Sequence, residues 1–283
     1  MASAKTWFRR IVLSAVAAIL VLYSGLTTWL WWAQDSLVFV PSREYKTLPY
    51  SAGLLHEDVD IEVVPGTKIR GWFVPATEKS RGTILYFHGN GGNLSSYFPR
   101  LALLAAAGFD SLSIDYEGYG ASGGTPSEAN LYRDADASWN WLTKSKGIDP
   151  RRIVVWGYSL GGAVATWCAT RHDVGAVILE NTFTTIPDVG ARIYSWLPVK
   201  FVSHNDFSNM DRISAIRAPI LIGHGKRDEL VPFEMGEELY RQAREPKRFV
   251  EFRGGHDDGF SQSPEAWSEM TRFLEEAGFG TGP

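Results

Sequence analysis

Gly157-Tyr158-Ser159-Leu160-Gly161 stands between an apolar run, Ile153 to Trp156, and a small-residue helical pattern that starts at Gly161. A serine on a sharp strand-to-helix turn projects its hydroxyl off the top of a sheet. The flanking glycines let neighbouring backbone approach a turn that side chains would block. On this reading Ser159 is the candidate nucleophile, and the plain structural alternative is a glycine-rich start to a helix.

Outward from this stretch, apolar runs alternate with helical patterns. Val59 to Val64 and Ile69 to Val74 flank Pro65-Gly66-Thr67-Lys68 and read as a hairpin at a sheet edge. Thr83 to Phe87, Ser111 to Asp115, Ile153 to Trp156, Ala176 to Leu179, Ile220 to Ile222 and Phe249 to Phe252 read as strands buried on both faces. Helical stretches fall at Tyr97 to Ala107, at Ser127 to Thr143 and after Ser159. Such alternation predicts an α/β fold with a mainly parallel sheet, helices on both faces and right-handed crossovers. In open sheets of this kind chemistry gathers where loops leave the carboxyl ends of the strands.

The polar motifs fall at those ends. His88-Gly89-Asn90-Gly91-Gly92-Asn93 follows Phe87, and so glycine-rich a turn exposes backbone N–H groups. A developing oxyanion needs such donors fixed beforehand, and we assign them to the N–H groups of Asn90 and Leu160. His88 itself reads as a loop-bracing residue, and the lysine and hydroxyl of a phosphate-binding loop are absent. Asp115-Tyr116-Glu117-Gly118-Tyr119-Gly120-Ala121-Ser122-Gly123 reads as a tight structural loop on the same face. His224-Gly225-Lys226-Arg227-Asp228-Glu229-Leu230-Val231-Pro232 supplies an acid, Asp228, with Glu229 as its neighbour for comparison and Glu180 as a rival at the end of another strand. Gly254-Gly255-His256-Asp257-Asp258 supplies the base: His256 follows the last strand, in the chain order Ser, Asp, His that a nucleophile elbow uses.

With these motifs in view, the chain from about Val59 onward resembles the α/β-hydrolase fold superfamily. Within it the chain resembles the BEM46-like group and is similar to alpha/beta hydrolase domain-containing proteins 13 and 17. The resemblance implies nucleophile, acid and base at Ser159, Asp228 and His256. It also implies hydrolysis of a carboxylic ester or acyl thioester, since some proteins of the group are linked to cleavage of acyl thioesters from modified proteins. The N-terminus departs from that pattern, having a long apolar segment in place of a cysteine-rich lipidated one. A serine peptidase or amidase would use the same residues, and a non-catalytic membrane-tethered binding module would keep the fold without turnover.

Ile11 to Trp32 contains no charged residue. A helix of that length rises about 33 Å, enough to cross a hydrocarbon core of about 30 Å. Lys5, Arg9 and Arg10 precede it and Gln34 and Asp35 follow, so the positive-inside rule predicts a cytoplasmic N-terminus and a main domain on the far side. Trp29, Trp31 and Trp32 fall at the far interface. A cleaved signal peptide fits less well, because a cut after Ala15-Val16-Ala17 leaves too short a core before it and a long apolar tail after it. The organisation expected is therefore a stub and transmembrane helix over 1–33, a connector over 34–58 and the hydrolase domain over 59–283. Because the predicted catalytic groups all lie between Asn90 and His256, the anchor is expected to serve access to substrate and leave the chemistry alone.

Asn181 to Ala218 is an insertion whose Ile186, Val189, Ile193, Trp196 and Leu197 share one helical face, with Pro187 in the first turn and Pro198 as a stop. It reads as a short cap over an acyl pocket, or as a helix packed on the sheet. The substrate expected is an acylated small molecule, lipid or protein, with no metal or organic cofactor. Net charge is −4, and Lys5, Arg9 and Arg10 all precede the apolar segment, so the remainder is more acidic still; nucleic acid is disfavoured as a partner. The single cysteine, Cys168, sits in the small-residue helix after Ser159, so neither a disulfide framework nor a cysteine-based zinc site can form.

Overall fold

A first helix, α1 (Ala4–Val38), is followed by a two-residue strand, β1 (Val40–Pro41), in this computed structural model, which describes residues 4–49 and 53–280. The hairpin expected at the sheet edge is β2 (Glu57–Val64) and β3 (Thr67–Val74), paired antiparallel. Its strands close on Pro65-Gly66, two residues tighter than the sequence suggests, with Gly66 at φ 83°. Such a two-residue connection suits the right-handed twist of the flanking strands.

Next come β4 (Thr83–Phe87), the two-residue β5 (Gly91–Gly92), α2 (Leu94–Ala106) and β6 (Asp110–Ile114). Asn93 begins α2 three residues earlier than its apolar pattern does, because its side chain caps the helix by accepting from Ser95 N at 3.0 Å. Ser127 caps α3 (Glu128–Asn140) in the same way. Then follow β7 (Ile153–Tyr158), α4 (Leu160–Arg171) and β8 (Ala176–Glu180). The insertion folds as three short helices, α5 (Ile186–Ile193), α6 (Val199–Val202) and α7 (Met210–Ile213). The chain closes with β9 (Ile220–Gly225), α8 (Phe233–Gln242), β10 (Lys247–Phe252) and α9 (Pro264–Leu274).

The main sheet has eight strands in the order β10-β9-β8-β7-β4-β6-β3-β2. From β6 through β4, β7, β8 and β9 to β10 every pairing is parallel, and the two remaining pairings, β6 with β3 and β3 with β2, are antiparallel, so that β3 alone runs against the rest. The central strands are buried on both faces, so their side chains alternate between two cores. Val155, Val177, Leu179 and Ile222 pack with α3, α4 and α8 on one face, while Val154, Trp156, Ile178 and Leu221 pack with α9 on the other. α4 lies against the sheet along almost its whole length, which its Gly161, Gly162, Ala163 and Ala165 allow. The fold is the α/β-hydrolase fold, with β2 and β3 as the antiparallel edge.

Two helices are not apparent from the apolar pattern. α8 buries only Met235, Gly236 and Leu239 and is otherwise polar, and α9 follows a loop that the sequence marks by its histidine alone. α1 is also longer than the apolar segment, running on through Gln34 and Asp35 to Val38.

Candidate active site

Ser159 occupies the turn between β7 and α4 with φ 51° and ψ −119°, a conformation that side chains rarely adopt. The strain is held in place by close backbone packing. A Cβ on Gly157 would strike the backbone of Gly161, and one on Gly161 would strike the carbonyl of Phe87. Both glycines are therefore required for β7, β4 and the start of α4 to meet here. Ser159 N donates to Glu180 O at 2.9 Å and Thr182 Oγ1 donates to Ser159 O at 2.8 Å, so the turn is tied to β8 from both sides.

Ser159, His256 and Asp228, far apart in sequence, meet above the sheet. His256 Nδ1 lies 2.7 Å from Asp228 Oδ2 and Nε2 lies 2.9 Å from Ser159 Oγ. A carboxylate only accepts, so Nδ1 carries the proton and Nε2 is left to accept from the serine hydroxyl. Burial alone would raise the Asp228 carboxyl, but the imidazoles of His224 and His256 and the backbone N–H of Val231 hold it down at about 2. Its other oxygen accepts from Leu230 N at 3.0 Å and Val231 N at 2.7 Å. Asp228 is thus ionised and fully oriented in the folded protein.

Glu180, the rival acid, does not approach His256. It is fully buried and receives Arg100 Nη2 at 3.0 Å, Trp156 Nε1 at 2.8 Å and Phe260 N at 2.8 Å. Its role here is to anchor the chain just beyond the histidine loop. Glu229 points along the polar side of the site and makes no hydrogen bond to His256 among the described contacts. His88 braces its loop: it is buried, its Nδ1 lies 2.7 Å from Gly89 O, and Tyr97 stacks on it with ring centroids 5.2 Å apart. Burial pushes its imidazole down to about 4 and pushes the nearby Asp115 carboxyl up to about 7.

The loop carrying Asn90 is held by nearly every carbonyl it has. Tyr116 Oη donates to His88 O at 2.8 Å, Tyr119 Oη to Asn90 O at 2.7 Å, and Tyr97 Oη to Gly91 O at 3.1 Å. The residues after α1 complete the set, since β1 pairs with β5: Val40 N donates to Asn90 O at 3.0 Å and Ser42 N to Gly92 O at 2.8 Å. Asn90 Nδ2 in turn donates to Val38 O at 3.1 Å. Leu160 is the first residue of α4, where helix geometry leaves a backbone N–H without an intrahelical acceptor. Asn90 and Leu160 line one cavity together with Ser159.

That cavity measures about 200 Å³ and is apolar. Leu30, Gln34, Leu37 and Val38 of α1 form one wall, and Ile186, Val189, Ile193 and Tyr194 of the insertion form the opposite one. The last turns of α1 therefore close the space beside Ser159, and the segment after it clamps the Asn90 loop, contacts that the sequence did not indicate. The insertion also departs from a single apolar face. Leu197 is buried and Ile186 and Val189 are partly so, but α5 ends at Ile193, leaving Ile193 and Trp196 more than half exposed. A second cleft, about 660 Å³ and more polar than the first, opens beside Ser159 between Tyr97, Arg100, Glu229, His256 and Gln262.

Two further residues support the site, Asn181 outside any motif and His224 inside the acid motif without a role assigned to it. Asn181, at φ 46° just past β8, accepts from Gly225 N at 2.9 Å and donates to His256 O at 2.6 Å. It thereby fixes the acid-bearing loop against the histidine-bearing one. His224 is buried beneath Asp228, with Nε2 2.9 Å from Val231 O and 3.5 Å from Asp228 Oδ2. An asparagine immediately after a strand, where a positive φ is tolerated, is the only cue that Asn181 offers. No cluster of three or more metal-ligating side chains occurs among the described residues.

Residues 82–214 match the alpha/beta hydrolase fold family. The alpha/beta hydrolase domain-containing protein WAV2 of Arabidopsis thaliana is 33% identical over 270 residues, covering 86% of this chain and 88% of the relative. The chain belongs to the α/β-hydrolase family. Within it the chain is similar to the alpha/beta hydrolase domain-containing proteins, among them 17B of Xenopus tropicalis, 35% identical over 197 residues, or 68% of this chain and 66% of that one. An esterase from Pyrococcus furiosus shares the fold with a TM-score of 0.69 at 22% identity, over 84% of this chain and 98% of the esterase.

Asn181→Ala should lower kcat by roughly 10- to 100-fold with little change in KM, since it loosens both loops without touching substrate. The Asp228 carboxyl lies below its ordinary 3.8, at about 2, in the folded chain. Its stabilisation is thus full above about pH 4 and lost as pH falls through about 2. Urea unfolding in detergent across that interval should show Asp228→Asn losing less stability on acidification than the parent chain.

Proposed function

We propose that the protein is a membrane-anchored serine hydrolase that cleaves a carboxylic ester or acyl thioester through an acyl-enzyme. The observation that carries this reading is the continuous line from Asp228 through His256 to Ser159 Oγ, at 2.7 and 2.9 Å, ending between an apolar cavity and a larger, more polar cleft. His256 Nε2 takes the Ser159 proton as Oγ attacks the carbonyl carbon. The resulting imidazolium is stabilised by a carboxylate that stays ionised throughout. The N–H groups of Asn90 and Leu160 receive the oxyanion, and the rigid bracing of the Asn90 loop supplies the preorganisation that makes such donors effective. His256 then returns the proton to the leaving oxygen or sulfur. Water, deprotonated by the same nitrogen, attacks the acyl-enzyme carbonyl and releases the acid, restoring Ser159.

The two cavities favour a particular polarity of substrate. An apolar acyl group suits the space between α1 and α5, and a polar leaving group suits the cleft beside Arg100, Glu229 and Gln262. Such an asymmetry fits an acylated lipid or an acylated protein better than a peptide bond flanked by polar chain on both sides. Anchoring is supported by α1, whose most apolar 18-residue window has mean hydropathy 2.1 and is not buried by the rest of the protein. The basic residues at its start favour a cytoplasmic N-terminus and a catalytic domain across the membrane.

Ser159→Ala, His256→Ala and Asp228→Asn should each reduce turnover of a nitrophenyl ester by about 10⁴-fold. Ser159→Ala should also abolish labelling by a fluorophosphonate probe. Undiminished turnover in Ser159→Ala would remove the serine mechanism. The orientation is checked with a phosphatase or fluorescent reporter fused after Pro283, which should report a non-cytoplasmic location, and a cytoplasmic signal would reverse the assignment.

A further inference from the structure

Beyond its tie to the active site, the insertion has a relation to α1 that bears on where the apolar cavity opens. Leu30 is buried against Leu197 and Val199, and Leu26, Ala191, Tyr194 and Val202 pack around them. These contacts lie on α1 inside the apolar stretch, before its last tryptophan. Leu26 stands six residues before Trp32, about 9 Å along a helix axis. Further along, the contacts turn polar at one level. Gln34 Nε2 donates to Val202 O at 3.2 Å, and its Oε1 accepts from His204 N at 2.8 Å. Asp35 Oδ1 accepts from Asn205 Nδ2 at 2.6 Å and lies 3.1 Å from His204 Nε2. The segment from Ala191 to Asn205 therefore follows the same gradient as α1, apolar alongside Leu26 and Leu30 and polar alongside Gln34 and Asp35.

The exposed residues of this segment include large apolar ones beside the charged Arg192 and Lys200. Phe201 is 91% exposed, Trp196 57% and Ile193 53%, next to a helix whose Trp29, Trp31 and Trp32 are exposed as well. Single exposed apolar residues are ordinary on a protein surface. Here they share one flank with a segment already fixed at the depth of the apolar span.

We infer that α5, α6 and the turn between them form a second membrane contact, dipping Trp196 and Phe201 into the same leaflet that α1 leaves, so that the cavity beside Ser159 opens to the lipid. The occupant of this surface is the bilayer, and the inference rests on the anchoring reading of α1. Trp and Phe are suited to the boundary between headgroups and acyl chains, where an amphipathic element buries its apolar face about 5–10 Å deep. Ile193 lines the cavity and is itself half exposed, which makes it part of the mouth. An acyl chain then passes from the leaflet between α1 and α5 to Ser159 without crossing water, while its polar partner stays on the side of Arg100 and His256. The reaction is the one already described; what changes is the phase that supplies its substrate.

The test uses the full chain in phosphatidylcholine vesicles, with single cysteines carrying an environment-sensitive nitrobenzoxadiazole label. Cys168 is fully buried and serves as the low background. Phe201→Cys and Trp196→Cys are the reporting positions, Leu20→Cys is the control within the span, and Asp173→Cys, 81% exposed in its side chain at the opposite end of the sheet, is the aqueous control. Labels at 201 and 196 should emit to the blue of the label at 173 and be quenched at least about twofold by lipids bearing a nitroxide high on the acyl chain, the depth expected of an interfacial helix. Aqueous iodide should quench only the label at 173. Labels at 201 and 196 that behave like the one at 173, with the label at 20 quenched by lipid, would overturn the inference and leave the anchor standing. A label at 20 that escapes lipid quenching would overturn both. Shielding from iodide without lipid quenching would show a protein partner or a second copy on this face, which also overturns it. Two reporting positions guard against a single substitution that fails to fold.

Discussion

The backbone at Ser159 must cross from β7 to α4 at φ 51° while β4 and β8 crowd it from either side, and the arrangement of the site follows from that constraint. The turn persists because the strands around it are buried on both faces and because Gly157 and Gly161 leave room where any side chain would meet backbone. Its consequence is positional. Ser159 Oγ stands clear of the sheet, Leu160 opens α4 with a free N–H, and the ends of β4, β8, β9 and β10 bring their loops around the same point. Fixing those loops then falls to buried polar groups, each with a specific partner: Asn181 between the acid and histidine loops, Glu180 below Phe260, and Tyr116 and Tyr119 under the Asn90 loop.

The clamp formed by the residues after α1 gives the N-terminal segment a part in this arrangement. Val38, Val40 and Ser42 hydrogen-bond to the Asn90 loop, and Leu30, Gln34 and Leu37 wall the cavity it borders. The last turns of α1 thus shape the space beside Ser159. No residue of α1 lines the larger, more polar cleft, so the two spaces beside Ser159 have walls of different origin and different polarity.

The parts of this site legible in the sequence are those encoded by local patterns. Gly157 to Gly161 marks a turn, the apolar runs on either side of the motifs mark strands, and chain order separates Ser159, Asp228 and His256 by their loops. Asn181 was not legible, because it acts through hydrogen bonds to Gly225 and His256, far away in sequence; His224 stands inside the acid motif, but only packing shows it beneath Asp228. The wall formed by α1 was hidden for a related reason: apolar residues suited to lipid and apolar residues suited to a pocket look alike, and only packing tells Leu30, which is buried, from Trp32, which is exposed. The insertion misled in the opposite direction. Its apolar positions fit one helical face, but Pro198 and the end of α5 at Ile193 divide it, leaving Trp196 outside the packed core.

The central claim is that Ser159, the Asn90 loop and the last turns of α1 form a single acyl-transfer site. Its most direct test is a crystal structure of the full chain after reaction with a long-chain alkylphosphonate, which mimics the tetrahedral intermediate. The account predicts phosphorus bonded to Ser159 Oγ, a phosphoryl oxygen within hydrogen-bond distance of the N–H groups of Asn90 and Leu160, and the alkyl chain lying between Leu30, Leu37 and Val189. An unmodified Ser159, or a phosphoryl oxygen directed away from Asn90 with the alkyl chain in the polar cleft, would contradict it.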